Sequence, residues 1–205
     1  MIVGSADPAT LIDNPPTVPA LSTEAITFSE VVCYQAILEM RSTARESVLP
    51  PSLHPTIPPA LSIQIWDVGE SPWGACRLAM TRISCRSGVR ARGFTTAMIT
   101  NSDAATQDLR DQLGFPARTG VIDIIRGYDR FESSVILDST KILEVSGVDP
   151  EPMDLNDVQY TGTLNLAALP RGLRMLQEAD SGLPMSTHPD TYMFLYLIHC
   201  SGLIR

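Results

Sequence analysis

From Ala60 to Leu169 the chain is dominated by short runs in which apolar and polar residues alternate, with no regular succession of amphipathic helices between them. A period of two places successive side chains on opposite faces of an extended strand. ALSIQIWDV (60–68) sets Leu61, Ile63 and Ile65 on one face and Ser62, Gln64 and Trp66 on the other. ACRLAMTRI (75–83) sets Cys76, Leu78, Met80 and Arg82 opposite Arg77, Ala79, Thr81 and Ile83. The pattern continues through GFTTAMIT (93–100), VIDIIRGYD (121–129), FESSVILD (131–138) and TKILEV (140–145). VQYTGTLNLAAL (158–169) is the longest run, with Val158, Tyr160, Leu164 and Leu166 in phase. Parallel strands need long crossovers, usually helical, so a doubly wound α/β fold is disfavoured. The predicted class is α+β, mainly antiparallel β, with the sheet curled into a barrel-like body that removes its edges.

Other stretches punctuate this pattern. VLPPSLHPTIPPA (48–60) carries five prolines, which exclude a helix and leave an irregular approach to the next strand. One helix is well marked. Thr100 and Asp103 have the spacing of a capping box; Ala105, Leu109 and Leu113 form a helical stripe. Gly114 is suited to a left-handed end, and Pro116 blocks continuation. GLRMLQEA (172–179) fits a second short helix, whereas VVCYQAILEM (31–40) fits helix or strand equally. Residues 1–26 read as a flexible N-terminal arm and 27–205 as one domain, in which 186–205 has no clear place.

Of 205 residues 44% are hydrophobic, enough for one sizeable core. The formal net charge of −8 disfavours nucleic acid and anionic membrane as partners. Fourteen of the 15 basic residues are arginines, and Lys141 is the lone lysine. Arginine offers a planar fork of donors but cannot form a Schiff base, so any amine chemistry falls to Lys141 or the N-terminus. Lys141, in the polar turn DSTKILEV, reads as a solvated surface residue. Cys33, Cys76, Cys85 and Cys200 lack CxxC spacing, and the N-terminus lacks a secretion pattern, so reduced thiols and a cytoplasmic location are expected. His54, His188 and His199 form no local cluster, so neither a metal site nor a cofactor is implied.

Three segments together resemble the acetoacetate decarboxylase family: VLPPSLHPTIPPALSIQIW (48–66), SPWGACRLAMTRISCRSGVRARGF (71–94) and TNSDAATQDLRDQLGFPAR (100–118). VQYTGTLNLAALPRG (158–172) is similar to the late strand that closes that family's body, and the resemblance spans roughly residues 31–172. It implies a barrel-like body and an oligomer, with a homodimer expected. In the family an aromatic–proline turn precedes two lysines, the first of which forms an imine with a β-keto acid. Here Phe115–Pro116 is followed by Ala117 and Arg118, and the position of a family glutamate is taken by Leu78. The resemblance therefore implies a relative that lacks the imine nucleophile.

Two functions stay open at this point. One is a lyase or isomerase that acts on a small oxo acid or polyketide-like carbonyl compound by arginine-stabilised enolate chemistry. The other is a non-catalytic binder or structural member of the same fold. Arg118, at the vacated turn, is the expected catalytic cation. Arg82, Arg86, Arg90 and Arg92, within eleven residues around a Ser–Gly turn, are candidate anion-binding forks, with Trp66, Phe115 and Tyr160 as substrate-contacting walls.

Overall fold

The computed structural model describes residues 3–8, 15–19, 26–149, 151–153, 162–169, 172–177 and 194–197. In chain order the elements are β1 (Ser29–Glu39), α1 (Ser42–Val48), β2 (His54–Pro55), β3 (Ala60–Glu70), β4 (Cys76–Ser87) and β5 (Arg90–Thr100). Next come α2 (Asp103–Asp111), β6 (Ala117–Thr119), β7 (Val121–Arg126), β8 (Arg130–Leu137) and β9 (Thr140–Val148). β10 (Glu151–Met153), β11 (Thr163–Leu169), β12 (Gly172–Gln177) and β13 (Phe194–Leu197) complete the described set.

The strands form two open sheets rather than the expected barrel. The larger has ten strands in the order β10-β13-β1-β3-β4-β5-β11-β12, with β2 also on β4 and β6 also on β5; the smaller is β7-β8-β9. The larger sheet ends at β10 and β12, which do not pair, so it does not close. It is also mixed, because β13 runs parallel to β1, and both β11 and β6 run parallel to β5. The physical reason lies in β7–β9. These strands stack face-on against the large sheet and cover its apolar face, where a barrel would have used them to join its edges.

That stacking forms one of the apolar interiors. Tyr34, Ala36, Ile63, Ile65, Ala79 and Ile99 of the large sheet meet Ile122, Phe131, Val135 and Val145 of the small one. Tyr34 and Phe131 stack with ring centroids 3.6 Å apart. On the opposite face of the large sheet, Cys33, Trp66, Leu78, Met80 and Met98 pack with Ala105 and Leu109 of α2 and with Phe115 and Ala117 beyond it. Alternation in β3 is thus respected, with Ile63 and Ile65 toward the small sheet and Trp66 toward α2.

Several local expectations change. The N-cap of α2 is Ser102, whose hydroxyl accepts from the Ala105 N–H at 3.3 Å. Thr100, expected in that role, instead accepts from the Ser102 N–H at 3.0 Å. The helix ends as predicted, with Gly114 at φ +68°. Residues 31–40 lie mostly in β1, 172–177 form a strand rather than a helix, and α1 is a second helix that the pattern did not announce. In the first 26 residues, the Gly4, Ser5 and Ala6 N–H groups donate to Leu53, Glu46 and Leu49 carbonyls, and Val18 is buried. Gly4 is required there, since a Cβ would fall 2.1 Å from the Leu49 oxygen. Residues 158–161 and 186–193 lie outside the described set.

Candidate functional site

The face of the large sheet that carries α2 has an unusual second half. In antiparallel pairs, residues opposite one another project to the same side. Gln35 of β1 is paired with Gln64 of β3, Gln64 with Met80 of β4, and Met80 with Met98 of β5, which places both amides on the α2 face. Arg82 is two residues beyond Met80 on the same side and lies opposite Thr95 of β5. Thr163 of β11 is paired with Gly93, and Asn165 follows two residues on. Gln35, Gln64, Arg82, Thr95, Thr163 and Asn165 are all buried. They make a polar floor that continues the apolar patch under α2.

A bulge in β5 creates this arrangement. Thr81 pairs with Ala97, but Arg82 pairs with Thr95, so Thr96 is an extra residue in the strand. Thr96 turns its hydroxyl to Thr81 Oγ1 at 2.8 Å on the far side, and the residues that follow toward the hairpin are re-aimed. Gly93 therefore faces Arg82. The guanidinium stem lies across it so closely that a Cβ on Gly93 would come 3.1 Å from Arg82 Cδ. Arg82 Nη1 then reaches Thr163 Oγ1 at 3.3 Å. Asn165 Nδ2 donates to the Leu113 carbonyl at 3.2 Å, tying the floor to the end of α2.

Four floor atoms are buried without a hydrogen-bond partner: the donor Arg82 Nε and the acceptors Gln64 Oε1, Thr95 Oγ1 and Asn165 Oδ1. Leaving a buried acceptor unpaired costs about 1–3 kcal/mol each, so three on one face form a localised polar deficit. Cys33 lies on the same face. Burial pushes its thiol far above its ordinary range, against a smaller opposing pull from the Arg82 charge. It is a protonated, inert thiol at neutral pH.

The sequence-derived candidates scatter over this framework. Arg82 is in the floor. Arg86 and Arg90 are exposed at the tip of the β4–β5 hairpin. Arg92 is opposite Cys85, on the small-sheet side, and lies against Gly162. The four arginines therefore divide between two faces and an exposed tip, and do not converge as one clamp. Arg118 is exposed on β6 and pairs with Asp138 at 2.6 Å. Trp66 and Phe115 are buried in the apolar patch, and Trp66 meets Phe28 edge-on at 6.5 Å between ring centroids. Tyr160 lies outside the described residues. Ala117 and Leu78, each about 1% exposed, sit in that same apolar patch. Arg110 donates to the Ala117 carbonyl at 3.0 Å. Arg45, another buried arginine, donates to the Thr56 carbonyl and belongs to the scaffold.

Lys141 is half-exposed and pairs with Glu144 at 3.1 Å. It lines a separate cleft of about 620 Å³ on the small sheet, with Asp123, Glu132 and Glu144 among its other walls. Gln64 is the main floor residue that the sequence does not single out, because strand polar residues usually face solvent. The available signal was its place in phase with Trp66, and likewise Thr163 and Asn165 alternate with Leu164 and Leu166.

No family model matches the sequence, and no curated protein matches it. Solved structures do. An acetoacetate decarboxylase from Legionella pneumophila subsp. pneumophila str. Philadelphia 1 aligns with a TM-score of 0.64 at 16% identity, covering 82% of this chain and 70% of that one. A second acetoacetate decarboxylase gives 0.66 at 12% identity, covering 87% and 85%. The chain has the acetoacetate decarboxylase fold. The enduracididine biosynthesis enzyme MppR complexed with pyruvate shares it at a TM-score of 0.57 and 15% identity, over 73% of this chain and 67% of that one. The kinship is distant and rests on the fold. Within that fold, the two positions that the sequence resemblance assigns to a lysine and a glutamate hold Ala117 and Leu78, packed in one apolar cluster. Among the described residues no helix is long and apolar enough to cross a membrane.

Proposed function

We propose that this protein binds a small oxo acid or related carbonyl compound on the polar floor, with Arg82 holding the anionic end, and that it does so without forming an imine. The observation that carries this reading is a buried arginine beside three buried, unpartnered acceptor atoms on the face that also carries Ala117. A guanidinium offers a planar fork that suits a carboxylate, and its attraction strengthens where water is excluded. The kinship to acetoacetate decarboxylases, and to an MppR structure that contains pyruvate, supports oxo acids as the class to test.

A second reading is favoured by the same cation. A buried, fixed positive charge stabilises negative charge that develops on an enolate, which is lyase or isomerase chemistry without a lysine. The named floor side chains include no carboxylate, histidine or lysine to move the proton, so binding is the function the geometry supports best. Calorimetric titration with pyruvate, acetoacetate and longer 2-oxo acids tests it. Micromolar-to-millimolar binding that Arg82→Gln abolishes is expected, with no borohydride-trapped adduct on the intact protein. Deuterium uptake at the carbon beside the ketone would add the enolate reading. Binding that survives Arg82→Gln, or a trapped adduct on Lys141, would overturn the proposal.

A further inference from the structure

The floor has an asymmetry that an unsubstituted keto acid does not explain. Arg82 supplies donors, as a carboxylate and a carbonyl require. Apart from Arg82 Nε, a donor that belongs to that same fork, the buried floor atoms without partners are instead oxygens: Gln64 Oε1, Thr95 Oγ1 and Asn165 Oδ1. The orientation of the Asn165 amide follows from its own contacts, because Nδ2 donates to the Leu113 carbonyl at 3.2 Å and so leaves Oδ1 as the open acceptor. Thr95 can accept or donate, and Gln64 Oε1 can only accept. Pyruvate and acetoacetate consist of acceptors alone once ionised. Either would meet the Arg82 fork and leave the amide oxygens buried and unpaired.

The spacing of these oxygens bears on size. Gln64, Thr95 and Asn165 belong to β3, β5 and β11, with β4 between the first two. Adjacent strands lie about 4.8 Å apart, so the three steps from β3 to β11 span about 14 Å between backbones. A six-carbon chain about 6 Å long, with a hydrogen bond of about 2.8 Å at each end, covers about 12 Å. A three-carbon acid does not. The Arg82 fork lies toward the β11 end, where Nη1 meets Thr163.

We infer that the ligand is a polyhydroxylated oxo acid of five or six carbons, a sugar-acid type of molecule. Its carboxylate meets Arg82 near Thr163, a nearby hydroxyl donates to Thr95 or Asn165, and a distal hydroxyl donates to Gln64. This assignment deepens the proposed function and rests on the Arg82 reading, but it makes its own prediction. A buried acceptor that must be satisfied discriminates strongly against an analogue without the donor.

The test is a matched pair of six-carbon acids titrated calorimetrically into the full chain: 2-oxohexanoate, which has no hydroxyls, and 2-keto-3-deoxygluconate, which has three. The hydroxylated acid is expected to bind about a hundredfold more tightly, about tenfold for each of the acceptors Gln64 and Thr95. Gln64→Met and Thr95→Val, both close in volume, are expected to narrow that ratio by about tenfold each. Thr95→Val is nearly isosteric and removes a buried oxygen, so it keeps the test available if Gln64→Met fails to fold. Equal affinity for the two acids overturns the hydroxyl inference while leaving the Arg82 reading intact. Binding of neither acid overturns both. A preference that neither variant narrows places the discrimination elsewhere and also overturns the inference.

Discussion

Ala117→Lys would restore an amine at the position where the resemblance places the family's nucleophile, and its cost can be worked out from the structure. The Ala117 side chain is buried in a patch that contains Leu78, Met80, Met98, Leu109 and Phe115. Arg110 holds a permanent positive charge on the adjacent Ala117 carbonyl, 3.0 Å from Nη1. Desolvation and the like charge both disfavour the ammonium form, and together they are expected to lower its pKa from about 10.4 to about 6. At pH 7 the unfolded chain carries the charge and the folded one does not, which costs about 1.36 × 3.4, or roughly 4.6 kcal/mol. Overpacking adds about 1–3 kcal/mol against a typical total of about 5–15 kcal/mol, so the variant is marginally folded at neutral pH. Between about pH 6 and 10.4 the unfolded state binds more protons than the folded state. Stability therefore rises with pH through that window by about 1.4 kcal/mol per unit, and levels off above it. Urea denaturation of variant and parent at pH 6.5, 8 and 9.5 measures this directly. A variant as stable as its parent at pH 7, with no added pH slope, would show that a side chain at residue 117 reaches water and that the apolar patch is not closed over it.

Other predictions address the remaining interfaces. Gly93→Ala puts a methyl group 3.1 Å from Arg82 Cδ, so it is expected to displace that side chain, cost about 1–3 kcal/mol in urea melts and weaken oxo-acid binding more than a remote variant of equal stability. Phe131→Ala removes the ring stacked on Tyr34 and opens a cavity between the two sheets; a loss of about 3–5 kcal/mol in chemical denaturation is expected, and under 1 kcal/mol would refute the face-on packing. Burial pushes the Cys85 thiol from 9.0 up to about 12, only partly offset by the Phe94 backbone hydrogen bond and the Arg92 charge. Above pH 9 the unfolded thiol ionises while the folded one stays protonated, so this contribution is full below pH 9 and falls by about 1.4 kcal/mol per unit toward pH 12. Cys85→Ala should make the alkaline fall in stability shallower by that amount, and an unchanged slope would count against it.

Sequence reasoning reached some parts of the molecule well. The sides of β3, the strand identities of β3–β5 and β7–β9 and the Gly114 stop after α2 follow from local rules of period, capping and backbone conformation. The arginine cluster was legible as a cluster but not as a site, because a hairpin sends neighbouring residues to opposite faces. Arg82 and Arg92 are ten residues apart in a single hairpin and end on different sides of the sheet. Tyr160 and, within 186–205, all but residues 194–197 lie outside the described residues.

The amino-acid sequence by itself determined that the segments of β3–β5 and β7–β9 extend, and which side chains share a face where a strand carries no bulge. These are short-range consequences of a backbone period of two and of side-chain identity. Only the tertiary structure decided that the strands form two stacked open sheets instead of a barrel, because edge pairing depends on contacts between residues far apart in the chain. It also decided the candidate site. Phase counted from Met98 would put Thr96 and Phe94 on the Arg82 side, but one extra residue in β5 reverses that assignment. Gly93 and Thr95 turn to Arg82 instead, and β11 then supplies Thr163 and Asn165 beside them from some seventy residues away. A strand's own alternation carries no information about a bulge imposed by its neighbour, and so the polar floor emerged only when the strands were assembled.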